Sequence, residues 1–202
     1  MPSHLTLLAD ADVEIDKIKG SRFWAFARCV VDEAEAQAFV EELRRVHRSA
    51  GHHCHAWSVG IEDSRTRSSD DGEPGGTAGR PILREIEARG LRNVCVVVLR
   101  WFGGTKLGTG GLVRAYGAAA RAVLAEAPTL EIRLTRSARL RFAYADTALV
   151  EAVLREHALR PLAATYAADV TLSLAVPPED LEDLDRALAD ATAGRLRIEL
   201  EQ

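Results

Sequence analysis

Apolar and polar residues alternate from Val13 to Lys19 and again from Arg22 to Val31, around Gly20-Ser21, which predicts two strands joined by a tight turn. Asp32 then offers a helix cap. Ala36, Phe39, Val40, Leu43 and Val46 recur at helical spacing, so a helix with one apolar face should run to about Arg48. His53 to Ile61 reads as a further strand. Val94 to Trp101 (VCVVVLRW) is almost unbroken and β-branched, as expected of a central strand buried on both faces. Between these two strands Pro81 suits the first turn of a short helix that stops at Gly90. Leu112, Tyr116, Ala119, Val123 and Ala127 predict another helix that ends before Pro128.

The first part of the chain therefore reads ββαβαβα, and the rhythm changes after it. A strand at Arg139 to Phe142, a helix at Asp146 to Glu156 and strands near Pro161 to Tyr166 and Ala168 to Ala175 come first. A helix with Leu181, Leu184 and Leu188 and a strand at Leu196 to Leu200 follow. That order is βαββαβ, the ferredoxin-like plan, in which two helices cover one face of an antiparallel sheet. The expected class is α+β, with domains at 1–133 and 134–202 and a linker at Pro128 to Arg136.

The 202 residues carry a net charge of -4, which argues against a uniformly basic nucleic-acid binder, but the charge is unevenly spread. Between Arg65 and Arg121 ten basic residues face five acidic ones, a local net of +5; from Thr135 onward eight basic residues face twelve acidic ones. Cys29, Cys54 and Cys95 lie far apart and read as buried, reduced thiols. No leader-like start and no run approaching about 18 apolar residues is present, so a cytoplasmic location and no membrane partner are expected.

Two glycine-rich loops, DDGEPGGTAGRP and RWFGGTKLGTGGLVRAY, flank the apolar strand and each feeds a helix. A helix start leaves N–H groups unpaired and carries partial positive charge, so a glycine-rich approach suits an anion, with phosphate the leading class. The second loop matches neither the P-loop nor the dinucleotide-binding pattern. The candidate phosphate contacts are Thr77, Arg80, Arg100, Lys106 and Arg114 with Gly103, Gly104, Gly108, Gly110 and Gly111; a tight turn alone would also account for the glycines. Arg100, inside an apolar strand, needs a partner or a surface, and a loop carboxylate is a sensible partner. Trp101 and Phe102 are candidate stacking residues, although such aromatics more often belong to a core. Asp70, Asp71 and Glu73 form a candidate Mg²⁺ loop, or equally cap turns and pair with arginines. His52, His53, Cys54 and His55 cannot all converge on one zinc ion, because strand neighbours face opposite ways; His53 and His55 share a face and are expected to be partly exposed. No catalytic triad is visible.

At these residues the chain resembles the IMPACT family: DDGEPGGTAGRPIL and VVLRWFGGTKLGTGGLVRAYG closely resemble its signature, and KIKGSRFWAFA and HHCHAWSVG are similar to its N-terminal region. The resemblance covers about Ile15 to Ala127, and the remainder resembles the small domain of bacterial members. It implies a first domain like those of a small-subunit ribosomal protein and of domain IV of elongation factor G, and a second like that factor's domain V. It also implies a link to RNA, the ribosome or translational regulation. Eukaryotic members are implicated in translational control under amino-acid stress, acting through protein partners, and carry an RWD domain for which this chain has no room. The resemblance transfers no catalytic residues. The first expectation is an RNA- or ribosome-associated protein without chemistry. The rivals are an enzyme acting on a small phosphorylated or nucleotide substrate with Mg²⁺, and a protein-interaction module whose acidic second domain meets a basic partner.

Overall fold

The computed structural model describes residues 3–61 and 63–200 and divides into two compact units, one of His4–Ile132 and one beginning at Arg133. In the first unit the strands are β1 (Ser3–Leu7), β2 (Ala11–Ile18), β3 (Ser21–Cys29), β4 (His52–Val59), β5 (Arg65–Ser69), β6 (Val94–Trp101) and β7 (Thr129–Arg133); the helices are α1 (Glu33–Val46), α2 (Gly79–Ala88) and α3 (Thr109–Glu126). Five strands form one sheet in the order β2-β3-β6-β4-β5, every neighbour antiparallel, and β1 pairs with β7 apart from it. β6 lies at the centre, as its apolar run requires. Val94, Val96 and Val98 join the core under α2 and α3, while Cys95, Val97 and Leu99 join the core under α1. Period-two alternation is why one strand supplies both.

The α1 cap forms as its sequence predicts: the Asp32 carboxylate accepts the Glu35 N–H at 2.8 Å. Three strands go beyond the ββαβαβα reading. β5 (RTRSS) holds no apolar residue and is an edge strand kept in place by its ladder to β4. β1 and β7 are short and find each other across the length of the unit, and β7 occupies the stretch expected to be linker. The β1–β7 pairing is long-range, so no local pattern announces it, and β5 has no apolar alternation to mark it as a strand.

The second unit has β8 (Arg136–Phe142), α4 (Thr147–Glu156), β9 (Ala163–Tyr166), β10 (Val170–Val176), α5 (Leu181–Ala191) and β11 (Glu199–Leu200). Its sheet order, β11-β8-β10-β9, is the ferredoxin-like one. Ala138, Leu140 and Phe142 of β8 alternate inward beneath Val150, Val153 and Leu154 of α4 and Leu184 and Leu188 of α5.

Strand direction positions the site. β5 and β6 flank β4 and are antiparallel to it, so they run the same way, and the β5–α2 and β6–α3 loops emerge at one end of the sheet. The β2–β3 turn lies there too. Gly103 crosses it so closely that a Cβ built on Gly103 would stand 1.9 Å from the Gly20 carbonyl carbon, and the Gly103 N–H donates to Ser21 Oγ at 3.2 Å. The main chain has to move to accept any side chain there.

Gly103→Ala is expected to cost about 2–4 kcal/mol in denaturant unfolding, whereas Gly75→Ala, where a Cβ meets nothing within 4 Å, should change stability by less than about 0.5 kcal/mol. Equal effects at the two positions would refute the close-approach argument.

Candidate nucleic-acid interface

The acidic loop between β5 and α2 is spent on the protein itself. Asp70 Oδ1 accepts the N–H groups of Ala78 (2.9 Å) and Gly79 (2.9 Å), and Oδ2 accepts that of Gly76 (2.7 Å). Burial would push this carboxyl up, but the three N–H donors and the nearby Arg80 charge outweigh it and hold it below the usual carboxylate range. The anion at the start of α2 is therefore the chain's own Asp70, and the first glycine loop is already filled. Asp71 pairs with Arg44 of α1 and accepts the His53 main-chain N–H at 2.6 Å. Glu73, whose side chain is 4% exposed, accepts Arg100 Nη1 at 2.6 Å and the Tyr116 hydroxyl at 2.7 Å.

The three carboxylates thus turn to three different sets of donors, and among the described residues no group of three or more His, Cys, Asp or Glu is gathered as a metal would need. Arg100 has the loop-carboxylate partner its strand position demands, with Nη2 also donating to Ser21 Oγ at 3.3 Å. It is 5% exposed, so it faces inward rather than toward a phosphate in solvent. Thr77, expected beside it, is also buried and donates to the Pro74 carbonyl at 2.6 Å. Both are corrections to the candidate set, with one cause: the loop folds back over its own polar groups.

The second loop is different. Gly103, Gly104, Thr105, Lys106, Gly108, Thr109 and Gly110 are exposed. α3 starts at a Gly108 cap with φ of 73°, a left-handed conformation that suits glycine, and no side chain caps it. Arg114, one turn in, reaches back until Nη1 is 3.6 Å from where a Cβ on Gly110 would stand. α2 and α3 start at the same end and pack in parallel: Arg121 Nη2 meets Glu85 Oε1 at 2.7 Å, and Arg89 Nη1 donates to the Leu124 carbonyl at 2.9 Å. Between them runs a groove of about 390 Å³, lined by Arg84, Arg114 and Arg121 over a floor that includes Pro81, Gly117 and Ala118. The side chains of Lys106, Arg84 and Arg114 form no hydrogen bond or ion pair among the described residues. Arg84 and Arg121 were missed as site residues, although Arg80/Arg84 and Arg114/Arg121, four and seven apart, share helix faces and carried the signal.

Phe102 is 57% exposed beside this loop, with the Arg100 guanidinium 5.6 Å from its ring centroid. Trp101 is half-buried, with the Arg22 guanidinium 4.5 Å from its ring centroid and its indole N–H donating to Ser49 Oγ at 3.1 Å. One of its faces is occupied. His53 and His55 do share a face, but it is the α1 face, where both are buried and His55 stacks on Trp57 at 5.3 Å. Burial lowers both imidazoles' pKa. Cys54 and Cys95 are buried and free, and burial pushes their thiols up; Cys29, at the end of β3, is exposed, contrary to expectation. Burial also raises the Tyr116 phenol, so it stays a donor to Glu73. No helix among the described residues is long and apolar enough to cross a membrane.

Residues 19–124 match the model of the Impact N-terminal domain, and residues 140–195 match a domain of unknown function (DUF1949). The chain is 36% identical over 186 residues to IMPACT family member YigZ of Escherichia coli, covering 91% of each protein. Over 93 residues it is 38% identical to the Protein IMPACT homolog of Saccharomyces cerevisiae, covering 45% of this chain and 36% of that one. A crystal structure described as that of a hypothetical protein aligns with all of this chain and 98% of its own, with a TM-score of 0.69 and 34% identity.

Removing one partner of a buried ion pair strands the other, so Glu73→Ala and Arg100→Met should each cost about 3–5 kcal/mol in denaturant melts. The double substitution should cost clearly less than their sum; additivity would show that the pair is not coupled. Stability should also depend on pH through His53 and His55. The unfolded chain takes up protons near the ordinary imidazole value while the folded chain resists, so their contribution is complete above about pH 6.5 and is lost as pH falls from there toward the lowered folded values. His55→Phe is expected to flatten the melting-temperature slope between about pH 5 and 7; an unchanged slope would contradict this assignment.

Proposed function

Because the chain belongs to the IMPACT family, we propose that its first domain binds the phosphate backbone of RNA in a translational setting, through the second glycine loop and the groove between α2 and α3. The observation that carries this reading is the uncapped, exposed start of α3. Lys106 and Arg114 stand over it without partners, and Arg84 continues the cationic surface along the groove. Backbone N–H groups aimed outward, together with cations that no internal carboxylate neutralises, recognise phosphate oxygens rather than a neutral ligand. Exposed Phe102 offers one stacking surface at the same place.

The translational setting is supported by what the family resemblance implies, namely a first domain like those of a small-subunit ribosomal protein and of domain IV of elongation factor G, a second like that factor's domain V, and eukaryotic members implicated in translational control. The structure weighs against the Mg²⁺-dependent enzyme as the leading alternative, since Asp70, Asp71 and Glu73 are each engaged by N–H, arginine or tyrosine donors.

Binding to a short single-stranded RNA and to ribosomal subunits across a salt series tests the proposal. With about three phosphates contacted, the logarithm of affinity should fall against that of salt with a slope of roughly -2 to -3. Lys106→Ala with Arg114→Ala should weaken binding and lower the slope by about one to two. A slope near zero, or a double variant that binds like the parent, would reject the phosphate contact.

A further inference from the structure

A groove of about 550 Å³ runs beside the edge strand β9 of the second unit, within the roughly 300–1,000 Å³ usual for small-molecule sites. α4 ends at Glu156 and the chain reverses at Ala158 (φ 54°), leaving the inner side of β9 bare. β9 carries Ala163 and Ala164, and Ala164 lines the groove where a larger residue would fill it. Buried Phe142, Leu154, Val170 and Leu172 form an apolar floor.

Two cations stand at this groove. Arg155, in the last turn of α4, and Arg160, just before β9, both line it, both are exposed, and the side chain of neither forms a hydrogen bond or ion pair among the described residues. Glu151, one turn before Arg155, is the single lining carboxylate among the described residues, where cations outnumber acids by two to one. The second unit is acidic as a whole, with eight basic and twelve acidic residues from Thr135 onward, and yet it leaves two unneutralised arginines beside this apolar recess.

We propose that this groove binds a small amphipathic anion, an apolar chain or ring that lies on the Phe142, Leu154 and Leu172 floor and carries a carboxylate or similar group held by Arg155 and Arg160. The floor supplies affinity by removing apolar surface from water, and the arginine forks supply selection for the charged end. The site is separate from the RNA surface proposed for the first domain and does not depend on it.

The test is a fluorescence titration of the full chain with anilinonaphthalene sulfonate, an apolar ring system bearing one anionic group, with decanoate and decanol as competitors. Saturable one-to-one binding is expected, displaced by decanoate far better than by decanol. Arg155→Ala with Arg160→Ala should weaken it by about tenfold, a loss of about 1.4 kcal/mol. Ala164→Trp should abolish it by filling the recess, and Ala164→Leu, a milder filling, should weaken it; Glu151→Gln should tighten it. Circular-dichroism melts of each variant establish that the second unit is folded at the temperature of titration. Binding that is unchanged by the arginine pair or by both Ala164 variants, or decanol competing as well as decanoate, would overturn the proposal.

Discussion

The Glu73 carboxylate, nearly sealed from water, accepts both the Arg100 guanidinium and the Tyr116 hydroxyl, and the end of the first domain that carries the two glycine loops hangs from this contact. It ties the β5–α2 loop to the last residues of β6 and to the second turn of α3. Its neighbours extend the same logic. Asp71 reaches α1 through Arg44 and β4 through the His53 N–H, while Asp70 gathers the turn that opens α2. Five elements are thereby fixed by three acids in four residues. A charge buried so completely is tolerable only when its partners are all in place, which makes the arrangement unforgiving as well as rigid.

That rigidity has a consequence for the surface. With the first glycine loop closed over its own carboxylates, the start of α3 is the one of the two predicted anion sites still open. Lys106, Arg84 and Arg114 keep no carboxylate partner among the described residues, while Asp70, Asp71 and Glu73 are turned inward and Glu85 is taken by Arg121. A chain with a net charge of -4 can thus present a locally positive face. The internal network and the proposed RNA contact are two outcomes of one distribution of charge: acids consumed inside, arginines and a lysine left outside.

Much of this was legible locally. The VCVVVLRW run names a central two-faced strand, the Asp32 cap begins a helix, and the change of rhythm after Pro128 separates a βαββαβ unit. Arg100 within an apolar strand already demanded a carboxylate, and the acidic loop was the plausible supplier. What stayed hidden depended on tertiary partners rather than on each segment's own pattern. β5 is polar throughout and exists only through its ladder to β4; β1 and β7 need each other; and His53 and His55 are buried because α1 folds over that particular face of β4.

By itself the sequence determined which segments are strands and helices, which loops are rich in glycine and acid, and which family signature they carry, because periodicity, capping and motif spacing are properties of neighbouring residues. The tertiary structure alone decided which of two similar glycine loops remains open to a ligand. That outcome turns on where each carboxylate finds its donors, and the donors for Asp71 and Glu73 come from α1, β4, β6 and α3, brought within hydrogen-bond reach only when the sheet closes.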